Sequence, residues 1–266
     1  MTMMVQSGRF GGGNSLLGIL TTLGLLTNLK LCLDAGDLAS YPGSGQTWAD
    51  TSGSGNDFFL GLLSGADAAD PTFNGVAGDL LQTTYWSFDG ADSFIEASAG
   101  MNFASTWSAA ADQHSGLFVF WPAALIGSTI GMFEADGTDR FQINLSASET
   151  LNLVHSGVFG GAGKFSSNAY TAAAWNFAGF SVDEDAGVNG SFLQLGSTVT
   201  TFGGANLGGG TNSGAGPYQI ADGSGVGAFP VSWRLGMVAI FNAALTTAQM
   251  QQVYDAINLN RFPLAA

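Results

Sequence analysis

The sequence predicts an all-β protein in which two antiparallel sheets pack as a jelly-roll sandwich, closed by a short C-terminal helix. Three observations predict it. A dozen or so short runs rich in β-branched and aromatic residues recur along the chain, each bounded by a turn signal. Glycine makes up 40 of 266 residues, about double the usual ~7%, and follows no G-X-Y period, so it reads as many tight turns. The stretch from Arg234 to Tyr254 reads as a strand feeding directly into an amphipathic helix. Gly236 to Phe241 is the strand. Thr246 stands three residues before Gln249, the spacing of a capping box, and Met250, Val253, Tyr254 and Ile257 follow as one apolar helical face.

Residues 1–29 differ from the rest. Met1 to Asn14 is polar and glycine-rich, while Leu16 to Leu29 is apolar but interrupted by Gly18, Thr21, Thr22, Gly24 and Asn28. Arg9 followed by Leu16 to Leu26 has the order of a signal peptide, but no small-x-small cleavage site follows and the polar lead is long. A glycine-rich terminus needs something to hold it. The expectation is an extended anchoring arm, residues 1–29, in which Arg9, Phe10, Leu16, Leu17, Leu20, Leu23, Leu25 and Leu26 pack against another chain or a neighbouring subunit.

From residue 30 to 266 the pattern is one continuous β domain. Leu31 to Asp34 opens it, loops flank Thr47-Trp48, and Phe58 to Leu63 and Tyr85 to Phe88 are the next strands. Ser93 to Ala97, Gly116 to Trp121, Gly127 to Phe133 and Arg140 to Leu145 follow, the last two flanking an Ala135-Asp136-Gly137 turn. Leu151 to His155, Trp175 to Val182, Ser191 to Leu195 and Pro217 to Ala221 continue the series, with Gly203 to Gly216 a low-complexity loop.

Composition excludes several functions. With 46% hydrophobic residues the chain can bury a full core. Six Lys and Arg against 20 Asp and Glu leave no basic cluster for nucleic acid. No run reaches the ~18 apolar residues of a membrane helix. The single cysteine, Cys32, cannot form an intrachain disulfide and reads as a buried, inert thiol.

Several segments resemble a known family. Leu33-Asp34-Ala35-Gly36-Asp37-Leu38-Ala39-Ser40-Tyr41-Pro42-Gly43-Ser44-Gly45, followed by Thr47 to Asn56, is similar to the opening of concanavalin A-like, laminin-G-type domains in bacteriophage structural proteins. Phe88-Asp89-Gly90-Ala91-Asp92-Ser93-Phe94-Ile95, the tryptophan-led Trp175 to Phe180, the Asn189-Gly190 hairpin and the closing stretch through Ile240-Phe241-Asn242 to Leu245-Thr246 resemble further family segments in the expected order. The resemblance covers roughly residues 31 to 258 and implies the fold, not an activity, because this fold hosts lectins, glycanases and inert building blocks.

The candidate sites are few. Some glycanases of this superfamily carry Glu-x-Asp-x-x-Glu on one strand; the nearest match, Glu134 to Asp139, lacks the last glutamate, and Asp136-Gly137 makes a better turn than strand. Asp183-Glu184-Asp185 reads as a solvated loop, and His114 and His155 lie far apart without a nucleophile motif, so no catalytic residue is assigned. Calcium would take Asp89 and Asp92 with Asp50 or Asn56, against the simpler reading that Asp89-Gly90 is a turn. Most tryptophans read as core, leaving Trp107 and Tyr41 as candidate glycan-stacking residues.

The functional expectation is a non-enzymatic virion protein displaying a lectin-like domain on the particle surface. Its partners would be a major capsid or tail protein, in multiple copies. The alternative is a carbohydrate-binding adhesion module for host or environmental glycans.

Overall fold

The computed structural model describes residues 14–61, 65–97, 113–125, 130–135, 141–146, 148–155, 164–183, 190–202, 218–220 and 232–265. Sixteen strands are formed among them. They are β1 (Leu29–Asp34), β2 (Thr47–Trp48), β3 (Phe58–Leu60), β4 (Thr72–Asn74), β5 (Tyr85–Phe88), β6 (Ile95–Ala97), β7 (Gln113–Pro122) and β8 (Ile130–Ala135). Then come β9 (Phe141–Leu145), β10 (Thr150–His155), β11 (Lys164–Ala169), β12 (Asn176–Asp183), β13 (Ser191–Leu195), β14 (Thr198–Phe202), β15 (Tyr218–Ile220) and β16 (Trp233–Phe241). Two helices, α1 (Leu16–Thr22) and α2 (Thr247–Asn260), complete them.

The strands form the two antiparallel sheets of a jelly-roll sandwich. Sheet A runs β14-β13-β12-β7-β16-β5-β4, with β1 also paired to β16; sheet B runs β11-β10-β9-β8-β15-β6-β3-β2. Alternation along each strand explains why they stack. Leu31 and Leu33, Phe118 and Phe120, Phe180 and Val182, and Val238 and Ile240 from sheet A meet Phe58, Ile95, Ile143, Leu145, Leu151, Leu153 and Ile220 from sheet B in one core. The alternate residues of sheet A, Cys32, Leu117, Val119, Phe177, Met237, Ala239 and Phe241, form a second core beneath the helices.

The closing segment forms as its sequence requires. The Gln249 N–H donates to Thr246 Oγ1 (3.2 Å) and the Thr246 N–H donates to Gln249 Oε1 (2.9 Å), making the capping box. Met250, Val253, Tyr254 and Ile257 are the buried face of α2. Gly236, at the bulge in β16, leaves room for Phe262: a Cβ there would lie 2.5 Å from its ring.

The extended arm is corrected for every residue of it that is described. Leu16 to Thr22 is a helix whose N-cap is Ser15, and Leu16, Ile19, Leu20 and Leu25 are buried in the second core against α2 and sheet A of the same chain. Leu17 and Leu23 pack partly against that core, and Leu26 is exposed. The outer face of sheet A is apolar, and these leucines cover it. Arg9 and Phe10 lie outside the described residues, and the boundary expected at residue 29 falls inside β1.

Short or polar elements escaped the sequence reading. α1 is only seven residues long, β4 three, and β11 (KFSSNA) lacks apolar alternation. β14 follows β13 through a two-residue turn that starts at Gly196 with φ 59°, a left-handed conformation glycine adopts freely.

Candidate functional site

The opening motif is structural. Asp34, at the end of β1, is fully buried, and its carboxylate accepts N–H bonds from Leu16 (2.8 Å) and Gly36 (2.9 Å) and from the Arg261 guanidinium (2.8 Å). Arg261 ends α2 and also donates to the Asn14 carbonyl (3.4 Å). One ion pair therefore ties the start of α1, the end of β1 and the end of α2. Burial pushes the Asp34 carboxyl above its ordinary pKa, opposed by Arg261 and the two backbone donors. Gly36 has no side chain because a Cβ there would collide with the Arg261 guanidinium.

Of the calcium candidates, Asp50 has both carboxylate oxygens engaged by protein donors. Asp50 Oδ1 accepts from the backbone N–H groups of Cys32 (2.9 Å) and Ser52 (2.8 Å), while Oδ2 accepts from Ser52 Oγ (2.7 Å) and the Asn56 N–H (3.0 Å). The Asn56 amide in turn donates to the Lys30 carbonyl (2.6 Å). Asp89 Oδ1 accepts from Ala91 N–H (2.9 Å) and Ser93 Oγ (3.0 Å), so Asp89 caps its own turn. The Ala91 N–H, with further help from Ser93 and Asp92, holds the Asp89 carboxyl below its ordinary pKa. Among the described residues no group of three or more His, Cys, Asp or Glu side chains could hold a metal.

Tyr41 is corrected as a glycan platform. It is 5% exposed, its ring packed on Phe73 (4.8 Å between centroids) and Trp86 (4.6 Å) and its hydroxyl donating to the Gly45 carbonyl (3.3 Å). Trp107 lies outside the described residues, as do Asp136 and Asp139. Trp48, Trp86 and Trp233 are core, whereas Trp121 is half-buried. His114 is buried in β7, edge-on to Phe180. Cys32 is buried, and burial raises its thiol pKa out of the reactive range.

The residues that stand out instead were not singled out by the sequence. On sheet B the residues that alternate with the core ones point away from sheet A. Among them Gln219 stands opposite Glu96 and Glu96 opposite Phe59, while Gln142 and Gln219 each pair with position 134 of β8 in the backbone register. Beside them Asn144 faces Asn152 across β9 and β10. Gln142, Asn144, Asn152 and Gln219 are nonetheless buried. The Gln219 amide donates to Glu96 Oε2 (2.8 Å) and the Asn144 amide to Gln142 Oε1 (3.3 Å). The carbonyl oxygens of Asn144, Asn152 and Gln219 are buried without a hydrogen-bond partner among the described residues. Each such orphan costs about 1–3 kcal/mol. The signal was present in Phe-Gln-Ile-Asn-Leu and Leu-Asn-Leu, where uncharged amides alternate with aliphatic residues in place of the charges usual on a solvated strand face.

No protein-family model and no curated protein matches the sequence. Solved structures do. The botulinum neurotoxin serotype D binding domain is similar with a TM-score of 0.62 at 11% identity, over 91% of this chain and 53% of that one. The binding domain of botulinum neurotoxin DC, solved with rat synaptotagmin II, gives 0.61 at 10%, over 86% and 52%. Trypanosoma rangeli sialidase, in complex with the inhibitor DANA, gives 0.56 at 9%, over 85% and 32%. The fold is shared. At this identity the likeness shows the fold alone, and the chain spans about half the length of the neurotoxin domains it matches.

Proposed function

We propose that the chain is a non-catalytic, lectin-like carbohydrate-binding module that uses the outward face of sheet B. The observation that carries this reading is the set of orphaned amide carbonyls of Asn144, Asn152 and Gln219 on one face. A hydroxyl-rich ligand supplies donors for such acceptors, and binding then recovers the cost of leaving them unpaired. The amides carry neither a nucleophile nor a proton to transfer. Glu96 and Glu134 flank Gln219 in the register, so the test includes an assay for hydrolysis.

The test is a glycan array probed with the wild type and with Asn144→Ala/Asn152→Ala. Binding that the double variant loses supports the reading, while undiminished binding or none removes it. Sugar release that disappears in Glu96→Gln would replace it with a hydrolase. Because both carboxylate oxygens of Asp50 are engaged by protein donors, and no group of three or more His, Cys, Asp or Glu among the described residues could hold a metal, binding is expected to survive a chelator.

A second reading places this module on a bacteriophage particle, supported by the resemblance of the opening and closing segments. Co-sedimentation of the full chain with purified particles tests it.

A further inference from the structure

Helices cover only part of the outer face of sheet A. Beneath them lie Leu117, Val119, Met237, Ala239 and Phe241. Further along the same strands the face changes character. Arg234 on β16 stands opposite Trp121 on β7 and Ser87 on β5, Ser87 opposite Thr72 on β4, and Tyr85 opposite Asn74. Arg234, Trp121, Tyr85, Ser87 and Asn74 are half-buried, and Thr72 is exposed.

Arg234 is held in an unusual way. Its guanidinium carbon lies 3.9 Å from the centre of the Trp121 ring and 4.7 Å from that of Tyr85. Two aromatic rings thus clamp the charged group itself. The guanidinium makes no hydrogen bond or ion pair with the described residues. Arg261 in the same chain is bound to Asp34, and acids outnumber bases 20 to 6, so an acceptor was easily supplied had Arg234 needed one. An arginine that only covers apolar surface lays its methylene stem along the rings and sends its head to water. Here the head itself lies over the rings, and its N–H groups have no partner among the described residues.

The neighbours suit one class of ligand. A rigid guanidinium fork matches a carboxylate with two parallel hydrogen bonds. The Asn74 amide is spent on the Thr72 carbonyl (2.9 Å) and Ser87 Oγ (2.8 Å), which leaves its own carbonyl to accept. Thr72, two residues before it on β4, and Tyr85, its partner in the register, carry hydroxyls. We propose that this end of sheet A, beyond α1 and α2, binds the carboxylate of an acidic sugar, with Arg234 as the anchor and Asn74, Thr72 and Tyr85 meeting the sugar hydroxyls. The site rests on the carbohydrate reading for the class of its ligand but lies on the opposite sheet, so the two fail separately. The net charge of -14 opposes long-range attraction of anions, but screening within about 8 Å at physiological salt leaves the local contact to decide.

The test is calorimetric titration of the whole chain with methyl β-glucuronide and methyl β-glucoside, which differ in the carboxylate, and with inorganic phosphate. The expected result is saturable glucuronide binding, weakened at least about tenfold in the glucoside and in both Arg234→Gln and Arg234→Lys. Asn144→Ala/Asn152→Ala should leave it intact. A thermal unfolding curve confirms that the Arg234 variants fold. The proposal is overturned if the glucoside binds equally, if phosphate matches the glucuronide, if Arg234→Gln binds undiminished, or if no saturation occurs by about 50 mM. Neutral glycans bound on the array with no glucuronide binding here would remove this site and leave the sheet B reading standing.

Discussion

The acids of the opening and central motifs resolve into two kinds when each is followed to its hydrogen bonds. Asp34 is a buried charge with a buried counter-charge, and removing one partner strands the other. Arg261→Ala is therefore expected to cost about 3–5 kcal/mol at neutral pH, read from the shift in denaturant midpoint. The deficit should shrink as pH falls, because the stranded Asp34 carboxyl escapes its penalty by taking a proton. Asp89 is an exposed acid whose charged form is favoured by the N–H groups of its turn. Its folded pKa is depressed, so its contribution is present above the unfolded value near 3.9 and is lost as pH falls through the folded one. Asp89→Ala should be less stable than wild type at neutral pH, by a margin that shrinks as pH falls below about 3.9, measured by unfolding across that range. Asp89→Asn keeps the acceptor oxygen and should lie between the two.

At the scale of the element, the C-terminal helix owes its start to a local signal that is fully readable in the chain. Thr246→Ala removes one side of the capping box and is expected to cost about 1 kcal/mol, seen as a lowered unfolding midpoint with an unchanged denaturant slope. α1 is a different case. Seven residues cannot hold a helix in water, so α1 exists because Leu16 and Leu20 are buried and because its first N–H is fixed by Asp34. Nothing in residues 14–25 alone distinguishes a helix that covers its own domain from an arm that grips another protein, since both need the same leucines. Likewise β11 and β14 read weakly in sequence and form because they pair with β10 and β13.

For the whole molecule, α1 and α2 form a third layer over the apolar part of the outer face of sheet A. Removing residues 1–29 would expose Cys32, Met237, Ala239 and the buried side of α2 and remove the first residue of β1. That truncation is expected to aggregate or to unfold at markedly lower denaturant than the full chain. Chemical denaturation of both proteins checks it. Equal stability of the two would show that α1 contributes nothing to the sandwich. The two candidate ligand faces lie on opposite outer surfaces of this stack, sheet B with its amides and the end of sheet A beyond α1 and α2 with Arg234.

The sequence by itself determined the class of the fold, the order of its principal strands, the C-terminal helix with its cap, the inert thiol and the turn at Asp89. These are local properties, written in alternation, spacing and turn chemistry within a few residues. Only the tertiary structure decided the rest. Asp34 and Arg261 are separated by 227 positions, and Gln219 and Glu96 by 123, yet each pair is in contact. Tyr41 looked like an exposed loop aromatic until Phe73 and Trp86 closed over it. Arg234 was one of a few scattered cations until β5 and β7 brought a ring to each side of it. Strand register joins residues that share no local pattern, and a binding face on a sandwich is assembled from register.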